Sequence, residues 1–120
     1  MVTLPVVRVA IPGSKLIMEG GSITDNVAGR GLVQVGYGTT FEMTGGSITN
    51  NILYTYQETY SMSCGVRVLA ATDDGSMAAG TFKISGDAVV DEVYPATGAV
   101  VTVAGALNNA TPIQILRAEL

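Results

Sequence analysis

The octapeptide Glu19-Gly20-Gly21-Ser22-Ile23-Thr24-Asp25-Asn26 returns as Thr44-Gly45-Gly46-Ser47-Ile48-Thr49-Asn50-Asn51, 25 residues further along and identical at six of its eight positions. Self-similarity at such a period marks a chain that stacks one supersecondary unit on the next. Upstream of the two copies lie the triplets Leu16-Ile17-Met18 and Phe41-Glu42-Met43. A weaker third version follows as Phe82-Lys83-Ile84-Ser85-Gly86-Asp87-Ala88-Val89.

A second set of triplets precedes these: Val7-Arg8-Val9, Val33-Gln34-Val35, Val66-Arg67-Val68 and Val101-Thr102-Val103, the last followed by Ile113-Gln114-Ile115. All sixteen flanking positions of the eight triplets are apolar, and seven of the eight central positions are polar, Ile17 being the exception. Period-two alternation of this kind puts one face of a strand in a core and the other in water. The triplets therefore frame four repeats, with first strands at 7, 33, 66 and 101 and second strands at 16, 41, 82 and 113.

Hairpins closed by type I′ turns would show Asn-Gly or Asp-Gly between paired strands, and only Asp73-Asp74-Gly75 comes close. A repeat holding three short strands can instead close one turn of a coil whose equivalent strands pair between successive turns. The expected fold is all-β, a right-handed parallel β-helix (solenoid) of about four short rungs, with a β-sandwich as the alternative. Residues 1–120 read as a single repeat domain.

Composition agrees. With 48% apolar and 13% charged residues, and 15 glycines among many Val, Thr and Ser, the chain is neither disordered nor a helical bundle. Six basic residues and a net charge of −4 leave no basic stripe, so nucleic acid is not an expected partner. Cys64 is the sole cysteine and His is absent, which rules out an internal disulfide and the paired zinc motifs. No apolar run is long enough for a membrane helix, and the first residues lack the pattern of a signal peptide.

Few residues carry chemistry. Gly20, Gly21, Gly45 and Gly46 sit where one strand turns a corner into the next and positive φ is needed; a phosphate loop would want a following helix and a Lys. Asn26 and Asn51 occupy one position after the third strand, where their amides can bond between rungs as a ladder; in the third repeat this place falls near Glu92, where the ladder ends. Glu42 and Lys83 should neighbour each other on adjacent rungs as an opposite-charge pair. Asp73-Asp74 and Asp91-Glu92 are adjacent acids that point to opposite faces and lack further oxygen ligands, so neither metal binding nor catalysis is expected of them. No cofactor is implied. Asn109-Ala110-Thr111 matches a glycosylation acceptor in form.

The largest insertion, 52–64, brings Tyr54, Tyr56 and Tyr60 close together. Clustered tyrosines offer contact area for a glycan or a protein; the plainer reading is a β-edge packing its rings on the scaffold. The outer columns expected from the frame, Arg8-Gln34-Arg67-Thr102 and Ile17-Glu42-Lys83-Gln114, hold a single acid, a poor basis for a polysaccharide lyase or hydrolase.

The units Gly31-Leu32-Val33-Gln34-Val35 and Phe41-Glu42-Met43-Thr44-Gly45-Gly46-Ser47-Ile48-Thr49-Asn50-Asn51 resemble the degenerate repeats of bacterial cell-surface β-helix proteins. The stretch from Val93-Tyr94-Pro95 to Leu107 is similar to the segment that often follows the last such repeat. The resemblance implies a non-catalytic, adhesin-like scaffold outside a bacterial cell, with a glycan or host protein as partner and the export signal beyond this chain. A carbohydrate-active β-helix is the competing function, and a cap or spacer within a longer array a third. Four rungs expose unpaired strand edges and an apolar end, so the chain is expected to belong to something longer or to associate end to end.

Overall fold

The structure, a computed structural model, describes residues 6–28, 32–54, 59–63, 65–96, 98–108 and 114–115. Every element among them is a strand. In chain order these are β1 (Val7–Val9), β2 (Lys15–Met18), β3 (Ser22–Thr24), β4 (Val27–Ala28), β5 (Val33–Val35), β6 (Thr40–Met43), β7 (Ser47–Thr49) and β8 (Ile52–Tyr54). There follow β9 (Thr59–Ser63), β10 (Val66–Val68), β11 (Thr81–Gly86), β12 (Val89–Val90), β13 (Glu92–Pro95), β14 (Val100–Leu107) and β15 (Gln114–Ile115). No helix long and apolar enough to cross a membrane is present among the described residues.

Equivalent strands of successive repeats pair with one another, never with their neighbours within a repeat, in the three parallel sheets. The first sheet runs β1-β5-β10-β13-β15, the second β14-β11-β6-β2 and the third β12-β7-β3. All their pairings are parallel, and the register keeps like with like: Val7 beside Val33 beside Val66 beside Val93, Leu16 beside Phe41 beside Phe82 beside Val101, Ile23 beside Ile48 beside Val90. The 25-residue recurrence is thus a stacking period: Ser22, Ile23 and Thr24 lie against Ser47, Ile48 and Thr49. A fourth sheet, β4-β8-β9, combines a parallel pair with an antiparallel one.

Alternation along the triplets fills the interior with columns of apolar side chains. Val33, Val35, Phe41, Met43, Ile48, Val66, Val68, Phe82, Ile84, Val90 and Val93 are all essentially inaccessible to water. Each such burial stabilises by roughly 1.5–3 kcal/mol relative to exposure. Phe41 and Phe82, register neighbours, stack with centroids 5.5 Å apart at 26°, an offset arrangement that adds to burial alone.

The fourth repeat departs from the sequence frame. Val101-Thr102-Val103 lies in the second sheet against Phe82-Lys83-Ile84, and Gln114-Ile115 returns to the first sheet against Glu92-Val93. The strand that stacks on Val66-Arg67-Val68 is Val93-Tyr94-Pro95. Both columns use the same alternating triplet, so spacing alone does not distinguish them. Pro95 disguises the true strand, since it cannot donate to a ladder and is tolerated only at strand ends and edges.

Candidate functional site

The Gly-Gly pairs lie at the corners between the second and third strands of the first two repeats, and only the second glycine of each pair has positive φ. Gly21 and Gly46 have φ of 83° and 84°, a region closed to most L-residues. Gly45 has a different constraint: a Cβ there would fall inside the contact radius of the Glu19 carbonyl oxygen, one rung away. Gly20 occupies the same place in the first copy and faces open space. In the third repeat Ser85 to Ala88 make a corner one residue longer, turned by Gly86 at φ 66°. The extra residue shifts the register between Ile84 beside Met43 and Val89 beside Ser47.

Asn26 and Asn51 hydrogen-bond to each other across neighbouring strands. The Asn51 side-chain Oδ1 accepts from the Asn26 backbone N–H at 3.0 Å and from the Asn26 side-chain amide at 3.2 Å. The Asn51 amide donates to the carbonyls of Ile23 and Thr49, and Asn51 is buried. The preceding residues, Asp25 and Asn50, turn the chain with φ of 62° and 58°, a conformation that Asp and Asn adopt more readily than other side-chain-bearing residues. On the third rung the ladder changes chemistry: Asp91 accepts from the Asn50 N–H at 3.0 Å, and the chain passes directly into β13. Sequence pattern missed the Asp25/Asn50 turn, although its signal, an Asx-Asn pair at both copies, was present.

The outer side of the first sheet carries a column of polar side chains. There Arg8, Gln34, Arg67 and Tyr94 follow one another in register, and Tyr94 donates its hydroxyl to Glu92 two residues before it. The outer columns predicted from the sequence are corrected accordingly: Thr102 belongs with Ile17, Glu42 and Lys83, and Gln114 lies beside Glu92. The first sheet therefore carries two guanidinium groups, an amide and a phenol along one column, with the Glu92 carboxylate two residues before Tyr94 on the same strand. Gln34 is only 6% exposed, and the Arg67 Nε is buried with no hydrogen-bond partner among the described residues. A buried donor left in that state costs about 1–3 kcal/mol.

Among the tyrosines of the insertion, Tyr54 ends β8 and Tyr60 lies in β9, so both belong to one antiparallel hairpin in which Tyr54 pairs with Thr59. Tyr56, Cys64 and the Asn109-Ala110-Thr111 sequence fall outside the described residues. The hairpin continues the fourth sheet, with Ile52 and Leu53 beside Val27 and Ala28.

One acid of each pair serves a turn, Asp74 in the first and Asp91 in the second. Asp74 accepts from the Ser76 N–H at 2.9 Å, the Ser76 hydroxyl at 2.8 Å and the Thr72 hydroxyl at 2.8 Å, which together hold its carboxyl down at about 2. The turn is closed by Thr72 N–H to the Met77 carbonyl and by Gly75 at φ 74°. No group of three His, Cys, Asp or Glu that could hold a metal converges among the described residues. Glu42 and Lys83 are register neighbours as expected, but the ion pair of Glu42 is with Lys15 at 2.9 Å, a diagonal reach across the strands. That contact, more than the field of Lys83, keeps the Glu42 carboxyl below its ordinary 4.5.

No family model, no curated protein and no solved structure matches this chain.

Proposed function

We propose that the chain is a non-catalytic scaffold module of a bacterial surface or secreted protein. In this reading it is a right-handed parallel β-helix whose stacked repeats present an outer face and an inserted hairpin to a glycan or to a host or cell-surface protein. The observation that carries the reading is the in-register stacking of three parallel sheets around apolar columns. Successive parallel strands joined through a crossover wind right-handed in nearly every known case, which supplies the hand. A chain built this way spends its apolar residues on the axis and leaves its outward positions and insertions for recognition. Arg8, Arg67 and Tyr94 of the first sheet's outer column, with Gln34 buried between them, and the hairpin bearing Tyr54 and Tyr60 are the surfaces assigned that role.

The competing reading, a carbohydrate-active β-helix, draws on Tyr94, which stands beside Arg67 and donates its hydroxyl to Glu92. A glycan array run alongside a turnover assay on acidic polysaccharides separates the two. The scaffold reading expects binding without release of unsaturated sugar, and release of that product overturns it. Combined replacement Tyr54→Ala, Tyr56→Ala and Tyr60→Ala is expected to weaken any binding found by roughly 10-fold or more, the scale of an aromatic anchor. Unchanged binding transfers the role to the arginine column.

A further inference from the structure

The second sheet ends on β2, whose outer edge has no neighbour among the described residues. Its sequence with the next residue, Lys15-Leu16-Ile17-Met18-Glu19, has a property that none of the other strands of that sheet shares. It runs from cation through three apolar residues to anion, so its chemistry reads complementarily when it is laid antiparallel against itself. Ile17 stands at an outward position that Glu42, Lys83 and Thr102 fill with polar side chains on the other rungs, and it is 50% exposed.

Backbone geometry narrows the pairing further. The Ser14 and Met18 carbonyls accept from the N–H groups of Thr40 and Thr44, and the parallel ladder places Leu16 between them facing β6. Because the two polar groups of a trans peptide point in opposite directions, the Lys15 carbonyl, both polar groups of Ile17 and the Glu19 N–H face away from the sheet. An antiparallel partner can meet these groups only in registers that set odd-numbered residues opposite odd-numbered ones. Among such registers, the one centred on Ile17 sets Lys15 opposite Glu19 of the second copy, Leu16 opposite Met18 and Ile17 opposite its own counterpart. It forms four backbone hydrogen bonds, two between the Ile17 residues and two from Glu19 N–H to Lys15 carbonyl.

We infer that a second copy of this chain docks on β2, making a closed two-fold dimer through antiparallel pairing centred on Ile17. Head-to-tail stacking of β14 on β2 is the poorer fit. It would set Val100 to Val103 against Lys15 to Met18 with no opposite charge for Lys15, and β14 departs from regular register after Val103. It would also grow into an open filament rather than close. The inference rests on the edge alone and is independent of whether the protein is exported.

Sedimentation equilibrium on the 120-residue chain, from about 10 μM to about 1 mM, the range in which small interfaces of this kind associate, tests it. The mass is expected to rise from 12.3 kDa to twice that value and stop. A mass that stays at 12.3 kDa, or one that climbs past the dimer, overturns the proposal. Ile17→Lys, which sets two ammonium groups face to face, is expected to abolish the dimer while far-UV circular dichroism stays unchanged; a persisting dimer overturns it. Glu19→Lys alone weakens association, and Lys15→Glu combined with Glu19→Lys, made together with Glu42→Gln so that the new carboxylate at position 15 does not face the Glu42 carboxylate, restores it, since the swapped pair is again complementary. Failure of the triple variant to recover, with its circular dichroism intact, also overturns the register.

Discussion

Strands β2 and β6 carry the same pattern, bear the same Gly-Gly corner behind them and lie side by side in one sheet, yet one is wet and the other dry. Leu16 is 37% exposed where its register partner Phe41 is 1% exposed. The difference comes from position: β6 has a rung on each side and β2 on one side only. In a stacked chain of this kind, energy resides in the interface between repeats as much as in the repeat itself, so equivalent residues need not have equivalent worth.

The most direct way to break the comparison is to empty the two positions. Phe41→Ala removes a ring stacked on Phe82 inside a closed core and is expected to cost about 3–5 kcal/mol, enough to unfold much of a domain this size. Leu16→Ala, at the open edge, is expected to cost about 1 kcal/mol because part of the side chain is already in water. Urea denaturation of both variants checks this, and equal losses would mean that the edge of the second sheet is covered in solution. Such a result would itself agree with a dimer through β2, since pairing there returns Leu16 to an apolar neighbour.

The glycines sharpen the contrast with nearly identical sequence. Gly45→Ala pushes a methyl into the Glu19 carbonyl, backbone against backbone, and is expected to destabilise by about 2–3 kcal/mol. Gly20→Ala, at the equivalent place in the first copy with open space around it, is expected to be neutral within about 0.5 kcal/mol. Thermal melts of the pair suffice. Similar shifts in both would show that the corner itself, not the approach of the previous rung, requires glycine.

Most of this architecture was legible because burial leaves a period in the sequence. The repeat of Gly20 to Asn26 in Gly45 to Asn51 placed the corners, and the triplets placed the columns. What stayed hidden had no periodic signature. Val93-Tyr94-Pro95 broke the alternation at its last position, so the fourth rung was framed one triplet late and Tyr94 was left out of the outer column. The ion-pair partner of Glu42 was also missed, since register names the nearest Cα and a lysine stem reaches diagonally past it. Recognition surfaces were the least legible, because outward positions are free to vary and so carry no pattern.

The asparagine ladder offers a milder perturbation. Asn51 is buried and makes bonds to the first rung in both directions, whereas Asn26 is partly exposed and supplies one end. Asn51→Ala is expected to cost about 2 kcal/mol, since the Asn26 N–H loses its acceptor while the Ile23 and Thr49 carbonyls each lose a donor. Asn26→Ala should cost about 1 kcal/mol. A reversed order in chemical denaturation would place the strength of the ladder on the first rung instead.

The smallest expected effect concerns the charge that links the two strands. Lys15 on the edge holds the carboxyl of Glu42 on the inner strand below its ordinary value of 4.5. A carboxyl lowered by folding adds stability that is fully present above its unfolded pKa and lost as pH falls through the lower folded one. The contribution is therefore in place at neutral pH and disappears in the acid range below about 4.5. Both groups are in contact with water, which keeps the effect small. Replacing Lys15→Met should raise the Glu42 midpoint toward 4.5, followed by carbon NMR of the carboxyl. Lys83→Met should raise it less, because Lys83 neighbours Glu42 in register without bonding to it. If Lys83→Met moved the midpoint further, the inner neighbour and not the edge lysine would be the principal partner, and β2 would contribute only its backbone to the sheet.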